Sequence, residues 1–173
     1  MSAPSRRLAQ ITAHTVNTGN IVKLSSSAAP DQRSRKYYRQ FLPIQTRWSD
    51  NDQYGHVNNS IYYFYIDTVV NNYLIDKCDL QPQSSVSPIG LVVSSSANFY
   101  QPISFPAVVE AGLAIVKIGK SSVTYKVGIF ERGKEQASVV GGFTHVFVNA
   151  EDRRPISQLP SAMKQGMEAI LVN

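Results

Sequence analysis

Between Ser49 and Asn59 the chain reads Ser-Asp-Asn-Asp-Gln-Tyr-Gly-His-Val-Asn-Asn, and the aromatic run Ile61-Tyr62-Tyr63-Phe64-Tyr65 follows almost at once. Asp52 supplies a carboxylate. It can attack an electrophilic carbon or take a proton from water. His56 is of the residue type most used for proton transfer. The run also ends where a helix begins. Backbone N–H groups in a first helical turn are unpaired donors at the positive end of a dipole, and they suit negative charge developing on a carbonyl oxygen. Asn58 and Asn59 occupy that position, and their main-chain amides are the candidates, since any residue but proline could supply one. Gly55 allows a positive φ or a close backbone approach to a ligand. The chemistry these parts suit is attack on an activated carbonyl. Taken alone, Asp52 also fits a turn residue that hydrogen-bonds its own loop, and Asp50 fits a turn cap or an ion-pair partner for Arg47. One histidine and two aspartates within seven residues, with no further ligand cluster, make a poor metal set, so neither metal nor cofactor is expected.

The elements that must position these residues follow from pattern. Residues 41–48 alternate well enough for a strand with Pro43 near its start, and 50–55 is turn chemistry. Tyr62, Ile66, Val69, Val70 and Tyr73 form a helical stripe, and Asn58 or Asn59 can cap it. Ile61, Phe64 and Tyr65 widen the apolar surface, which predicts a helix buried over most of its circumference and ending near Asp76, about 25 Å long at ~1.5 Å per residue. Tyr62 belongs to the core stripe, and its place one turn into the helix also makes it a candidate substrate-lining residue. After Pro88 the chain reads as strands: 89–100, 107–118, 122–131 and 135–149, with a hairpin turn at Arg132-Gly133-Lys134. Residues 161–171 read as a short terminal helix. One strand, one long helix and four further antiparallel strands predict an α+β fold in which a curved antiparallel sheet wraps around the helix. The open edge of such a sheet favours pairing into a homodimer or homotetramer.

Composition narrows the function. The formal charge of +5 is unevenly spread: residues 1–40 carry +6 and the remainder −1. A basic groove for nucleic acid would need its cations on the folded body, so no nucleic-acid partner is expected. No stretch approaches the ~20 apolar residues of a membrane span. Residues 1–36 contain scattered Arg and Lys, no acid before Asp31 and a Ser-rich cluster. They read as a mitochondrial targeting arm or a plain disordered one, with a cytoplasmic location as the alternative. Residues 37–173 read as a single domain. The lone cysteine, Cys78, excludes an internal disulfide and reads as a small core residue. His14 and His145 carry no constellation around them.

The stretch from Thr46 to Tyr62 resembles the Asp-x-Asp-x-x-Gly-His-Val-Asn-Asn-helix signature of hotdog-fold acyl-CoA thioesterases, in particular the 4-hydroxybenzoyl-CoA thioesterase-like branch. Asn98-Phe99-Tyr100-Gln101-Pro102-Ile103 resembles that family's later aromatic and proline pattern, and the order of elements agrees from Tyr37 to Asn149. The resemblance implies a hydrolase that cleaves acyl-CoA thioesters, with Asp52 as nucleophile or general base and the Asn59 amide as oxyanion donor. Plant acyl-carrier-protein thioesterases resemble the segment too, and use an Asp, an Asn two residues on and a His four residues on. Here Tyr54 replaces the Asn, which leaves His56 between an orienting and a catalytic role. Coenzyme A carries phosphates, so a cation at the entry is expected, and Lys120, with Lys117 and Lys126 near the same turn, is the candidate. A hotdog dehydratase of 3-hydroxyacyl thioesters and a non-catalytic acyl-CoA-binding protein are the rival readings.

Overall fold

The computed structural model describes residues 30–172. The targeting expectation for the first 36 residues, and His14 with it, lies outside the described residues except for 30–36. Five antiparallel strands form one sheet in the order β1-β3-β4-β5-β2, where β1 is Gln40–Gln45, β2 Ile89–Phe99, β3 Val108–Ile118, β4 Ser122–Glu131 and β5 Val139–Val148. Helix α1, Asn59–Lys77, lies between β1 and β2 in the chain, and α2, Ser161–Glu168, closes it. Among the described residues no helix is long and apolar enough to cross a membrane.

Alternation along the strands divides the sheet into two faces. Val109, Ala111, Leu113 and Ile115 of β3, Val123, Tyr125, Val127 and Ile129 of β4, and Phe143 and Phe147 of β5 face inward. They pack on the α1 stripe of Tyr62, Tyr65, Ile66, Val69, Val70, Tyr73 and Leu74. The helix is less enclosed than its composition suggested: Phe64 is 62% exposed and Ile75 51%. Five strands curve over one side of a helix and leave its other side open. Asn58 starts α1 from an extended conformation, and its Oδ1 accepts the Ser60 amide at 2.9 Å. That side-chain bond satisfies one orphan donor of the first turn.

Strand boundaries depart from the sequence pattern for identifiable reasons. β1 stops at Gln45 because Thr46 and Arg47 turn into a single 3-10 turn, Trp48–Asp50, in which the Asp50 carboxylate captures the Arg47 amide at 2.8 Å. β5 begins at Val139 rather than 135 because the backbone of 135–137 is occupied elsewhere. Arg35 N–H donates to the Glu135 carbonyl at 3.0 Å and Ala137 N–H to the Arg33 carbonyl at 2.8 Å. The segment 30–38 therefore runs along the outer face of the sheet. Tyr38 is 4% exposed there and packs edge-on against Phe130. A Cβ at Gly112 or Gly128 would intrude on its ring, so both positions need the missing side chain.

Candidate active site

The loop between β1 and α1 is built around Asp50. Its carboxylate is 1% exposed and accepts from the Arg47 amide at 2.8 Å, Arg47 Nε at 3.0 Å and the Tyr65 hydroxyl at 2.7 Å. Arg47 Nη2 completes an ion pair at 2.9 Å. Burial by itself would raise the Asp50 pKa, but the hydrogen bonds from Tyr65 and Arg47 and the guanidinium charge outweigh it and hold the carboxyl below its ordinary value. The Asp50 carbonyl accepts the Asn58 amide at 2.9 Å. Asp50 thus ties the loop to α1 at two places, through Tyr65 within the helix and through the capping residue.

Asp52 lies two residues on, half-buried, in a tight turn. Its amide donates to the His56 carbonyl at 2.8 Å and its carbonyl accepts the Gly55 amide at 3.1 Å. Gly55 sits at φ 80°, which a residue with a Cβ rarely adopts. Asp52 Oδ1 accepts the Tyr54 amide at 2.8 Å and the His56 amide at 3.4 Å. Oδ2 makes no hydrogen bond among the described residues. The turn role and a chemical role are therefore compatible, because one oxygen serves each. Asn51 braces the turn from the other side. Its Nδ2 donates to the Gly55 carbonyl at 3.0 Å, and its Oδ1 accepts the Phe105 amide at 3.1 Å.

The helix start separates the two asparagines. The amides of Val57, Asn58, Ser60 and Ile61 are all engaged, by the Ile103 carbonyl, the Asp50 carbonyl, Asn58 Oδ1 and the Asn58 carbonyl respectively. The Asn59 amide alone in this stretch has no acceptor among the described residues. Asn59 lines a groove of about 530 Å³ together with Asp52, His56 and Tyr62. Across from them stand Phe99 and Tyr100 from the end of β2, followed by Gln101 and Pro102. Tyr62 is 2% exposed, so it shows the groove only an edge of a ring that packs on Phe99, with centroids 5.6 Å apart. The His56 side chain is exposed and forms no hydrogen bond among the described residues.

Of the residues singled out in the sequence, Asp52, His56, Asn59 and Tyr62 come together on this groove. Gly55 and Asn58 shape it without lining it. Lys120 is elsewhere, in a depression between β3 and α2 with Gly119, Lys164 and Glu168. Phe99 and Tyr100 were visible as a strand ending in aromatics before Gln-Pro, but nothing in the sequence said that β2 pairs with β5 and brings this end beside α1. His145 is buried at 3% between Tyr125, Phe143 and Phe147. Desolvation pushes its pKa down to about 4. Burial likewise pushes the Cys78 thiol up to about 12, which leaves it inert as a nucleophile. Among the described residues no group of three or more potential metal ligands assembles.

The comparisons with known proteins agree with this architecture. Residues 46–167 match the model of the thioesterase-like superfamily. A solved structure of a Pseudomonas aeruginosa protein is 43% identical, covers 80% of this chain and 95% of its own, and superposes with a TM-score of 0.77. A Thermus thermophilus thioesterase complexed with coenzyme A and zinc is 21% identical, over 75% of this chain and 98% of its own, with a TM-score of 0.62. A 1,4-dihydroxy-2-naphthoyl-CoA thioesterase of Synechocystis is 17% identical, over 73% and 93%, with a TM-score of 0.66. No curated protein matches the sequence. The matched segment takes in the loop around Asp50 and Asp52, α1 and all of β2 to β5, and so the chain belongs to the thioesterase-like superfamily and has its hotdog fold.

Proposed function

We propose that this protein hydrolyses acyl-CoA thioesters to the free acid and coenzyme A, with Asp52 and the Asn59 amide as its working pair. One observation carries the reading. The amide at the start of α1 and the carboxylate oxygen that are without partners among the described residues open onto the same groove. A thioester carbonyl laid there presents its oxygen to the Asn59 N–H and its carbon to Asp52. Attack places negative charge on the oxygen, where the amide and the helix dipole stabilise it; one such donor is worth ~3–4 kcal/mol of barrier. Asp52 then acts either as nucleophile, forming a mixed anhydride that water cleaves, or as the base that activates water. In this reading His56, exposed and lining the same groove, is the candidate to protonate the leaving thiolate. The coenzyme A bound to the Thermus neighbour and the aroyl-CoA substrate named for the Synechocystis one support a coenzyme A ester as the substrate.

The test is release of free thiol from a panel of acyl-CoAs. Wild-type protein should release it from at least one acyl class. Asp52→Asn, which keeps an acceptor for the Tyr54 amide, should lose at least ~100-fold in kcat, the scale typical of a positioned acid–base group. Full activity in Asp52→Asn would sink this mechanism, and tight acyl-CoA binding without thiol release would leave a binding protein instead.

The working form we propose is a homodimer joined through β2. That strand is an edge of the sheet, eleven residues long, and exposes Leu91, Val92 and Val93 with no charge among them. A long apolar edge of this kind pairs or aggregates unless it is covered.

A further inference from the structure

A coenzyme A ester brings several negative charges to the groove, yet none of the groove's lining residues is Lys or Arg. Lys120 and its neighbours lie on another depression. A cation does stand one ring away. The Arg33 guanidinium lies over the Tyr100 ring at 4.4 Å from its centroid, and Tyr100 is part of the groove wall.

Arg33 is held in place and left without a counter-ion among the described residues. Its backbone is pinned, since its carbonyl accepts the Ala137 amide at 2.8 Å and its own amide donates to Asp31 Oδ1 at 2.9 Å. Tyr100 is pinned as well, through its amide to the Ser138 carbonyl at 2.8 Å. The charge of Arg33 has no carboxylate within ion-pair distance among the described residues, whereas Arg35 pairs with Glu110 at 2.7 Å and Arg47 with Asp50 at 2.9 Å. Its Nε is buried and without a hydrogen-bond partner. A half-buried guanidinium held over an aromatic ring, with no carboxylate beside it among the described residues, has lost part of its hydration without gaining an anion. Its position is fixed from both sides, so an anion that reaches it finds the fork already ordered.

We propose that Arg33 is an anion-binding residue of the groove that holds a phosphate of the coenzyme A moiety, an inference that rests on the thioesterase reading above. The acyl end then lies towards Asp52 and the Asn59 amide, and the nucleotide end passes Tyr100 to reach Arg33. The segment 30–38 thereby contributes to substrate binding besides covering the outer face of the sheet.

The full chain and its Arg33→Gln and Arg33→Lys variants separate this role from a packing role. Gln keeps a planar polar end on a shorter side chain and removes the charge, and Lys keeps the charge without the fork. Each protein is assayed with one acyl group presented two ways, as the coenzyme A ester and as the N-acetylcysteamine ester, which has no phosphate. Arg33→Gln should raise KM about 10-fold for the coenzyme A ester with kcat unchanged, leave the N-acetylcysteamine ester unaffected, and Arg33→Lys should fall between. Equal effects on both esters, or no effect on either, overturn the proposal. If wild-type protein cleaves neither ester, the thioesterase reading fails on its own. Calorimetry with free coenzyme A then decides: about 10-fold weaker binding in Arg33→Gln sustains the anion site, and equal binding or none in wild type overturns it.

Discussion

At the residue scale the two aspartates of the Asp-x-Asp pair do opposite things with one charge type. Asp50 is sealed from solvent and commits both oxygens to Arg47 and Tyr65; Asp52 is half-exposed and commits one to its turn. The fixed geometry of the second depends on the anchoring of the first, because Asp50 also fixes the Asn58 amide beside which the Asn59 amide is left open. Tyr65→Phe removes a hydrogen bond to a buried charge without creating space. It should cost about 2 kcal/mol of stability, within the range for hydrogen bonds to ionised groups, as read by denaturant unfolding. It should also lower kcat more than it raises KM. A variant as stable and as active as wild type would show that Asp50 is held by Arg47 alone.

At the element scale, inward-facing positions decide how β5 responds to acid. His145 is the polar member of a row of aromatic side chains on that strand, and its Nδ1 has no hydrogen-bond partner. Desolvation lowers its pKa from 6.5 to about 4 in the folded chain. Above the unfolded value both states are neutral and pH has no effect through this group. As pH falls below 6.5 the unfolded chain takes up a proton that the folded one refuses, so stability declines until about pH 4. The full loss is about 3 kcal/mol at ~1.4 kcal/mol per pKa unit. His145→Leu should flatten the stability profile between those two pH values, measured by urea unfolding at each pH. Asp50, whose pKa is lowered, works in the same direction but over a more acidic window. An unchanged slope in His145→Leu would place the acid sensitivity elsewhere.

At the scale of the whole molecule several large apolar side chains stay exposed. The solvent face of α1 shows Tyr63 and Phe64, the edge strand shows Leu91 to Val93, and the groove rim shows Phe99 and Tyr100. A second copy paired along β2 would cover the edge and extend the sheet. Val93→Lys places a charge on that edge at a bulge, where the register with β5 already shifts, and so disturbs the monomer little. It should convert the protein to the 19.1 kDa monomer in sedimentation analysis. A wild-type protein that sediments as a monomer would remove the dimer.

The sequence alone determined the turn and the helix start, because their signals are local. Gly55 marks the positive φ, Asn58 or Asn59 the cap, which the structure assigns to Asn58, and the spacing from Asp52 to Asn59 is the spacing of one turn and one helix entry. The strands and the single long helix were legible too, since alternation and a helical stripe need only neighbours. Tertiary structure decided what depends on distant partners. It placed β2 beside β5, which turned Phe99 and Tyr100 into the opposite wall of the groove. It engaged the Asn58 amide and left the Asn59 amide open, a distinction that rests on the Asp50 carbonyl. It sent Lys120 to another surface, and it laid Arg33 on Tyr100. Side-chain types are written in the sequence, but which hydrogen-bond donor stays unpaired, and which charge stays uncompensated, is settled only when all the acceptors have taken their places.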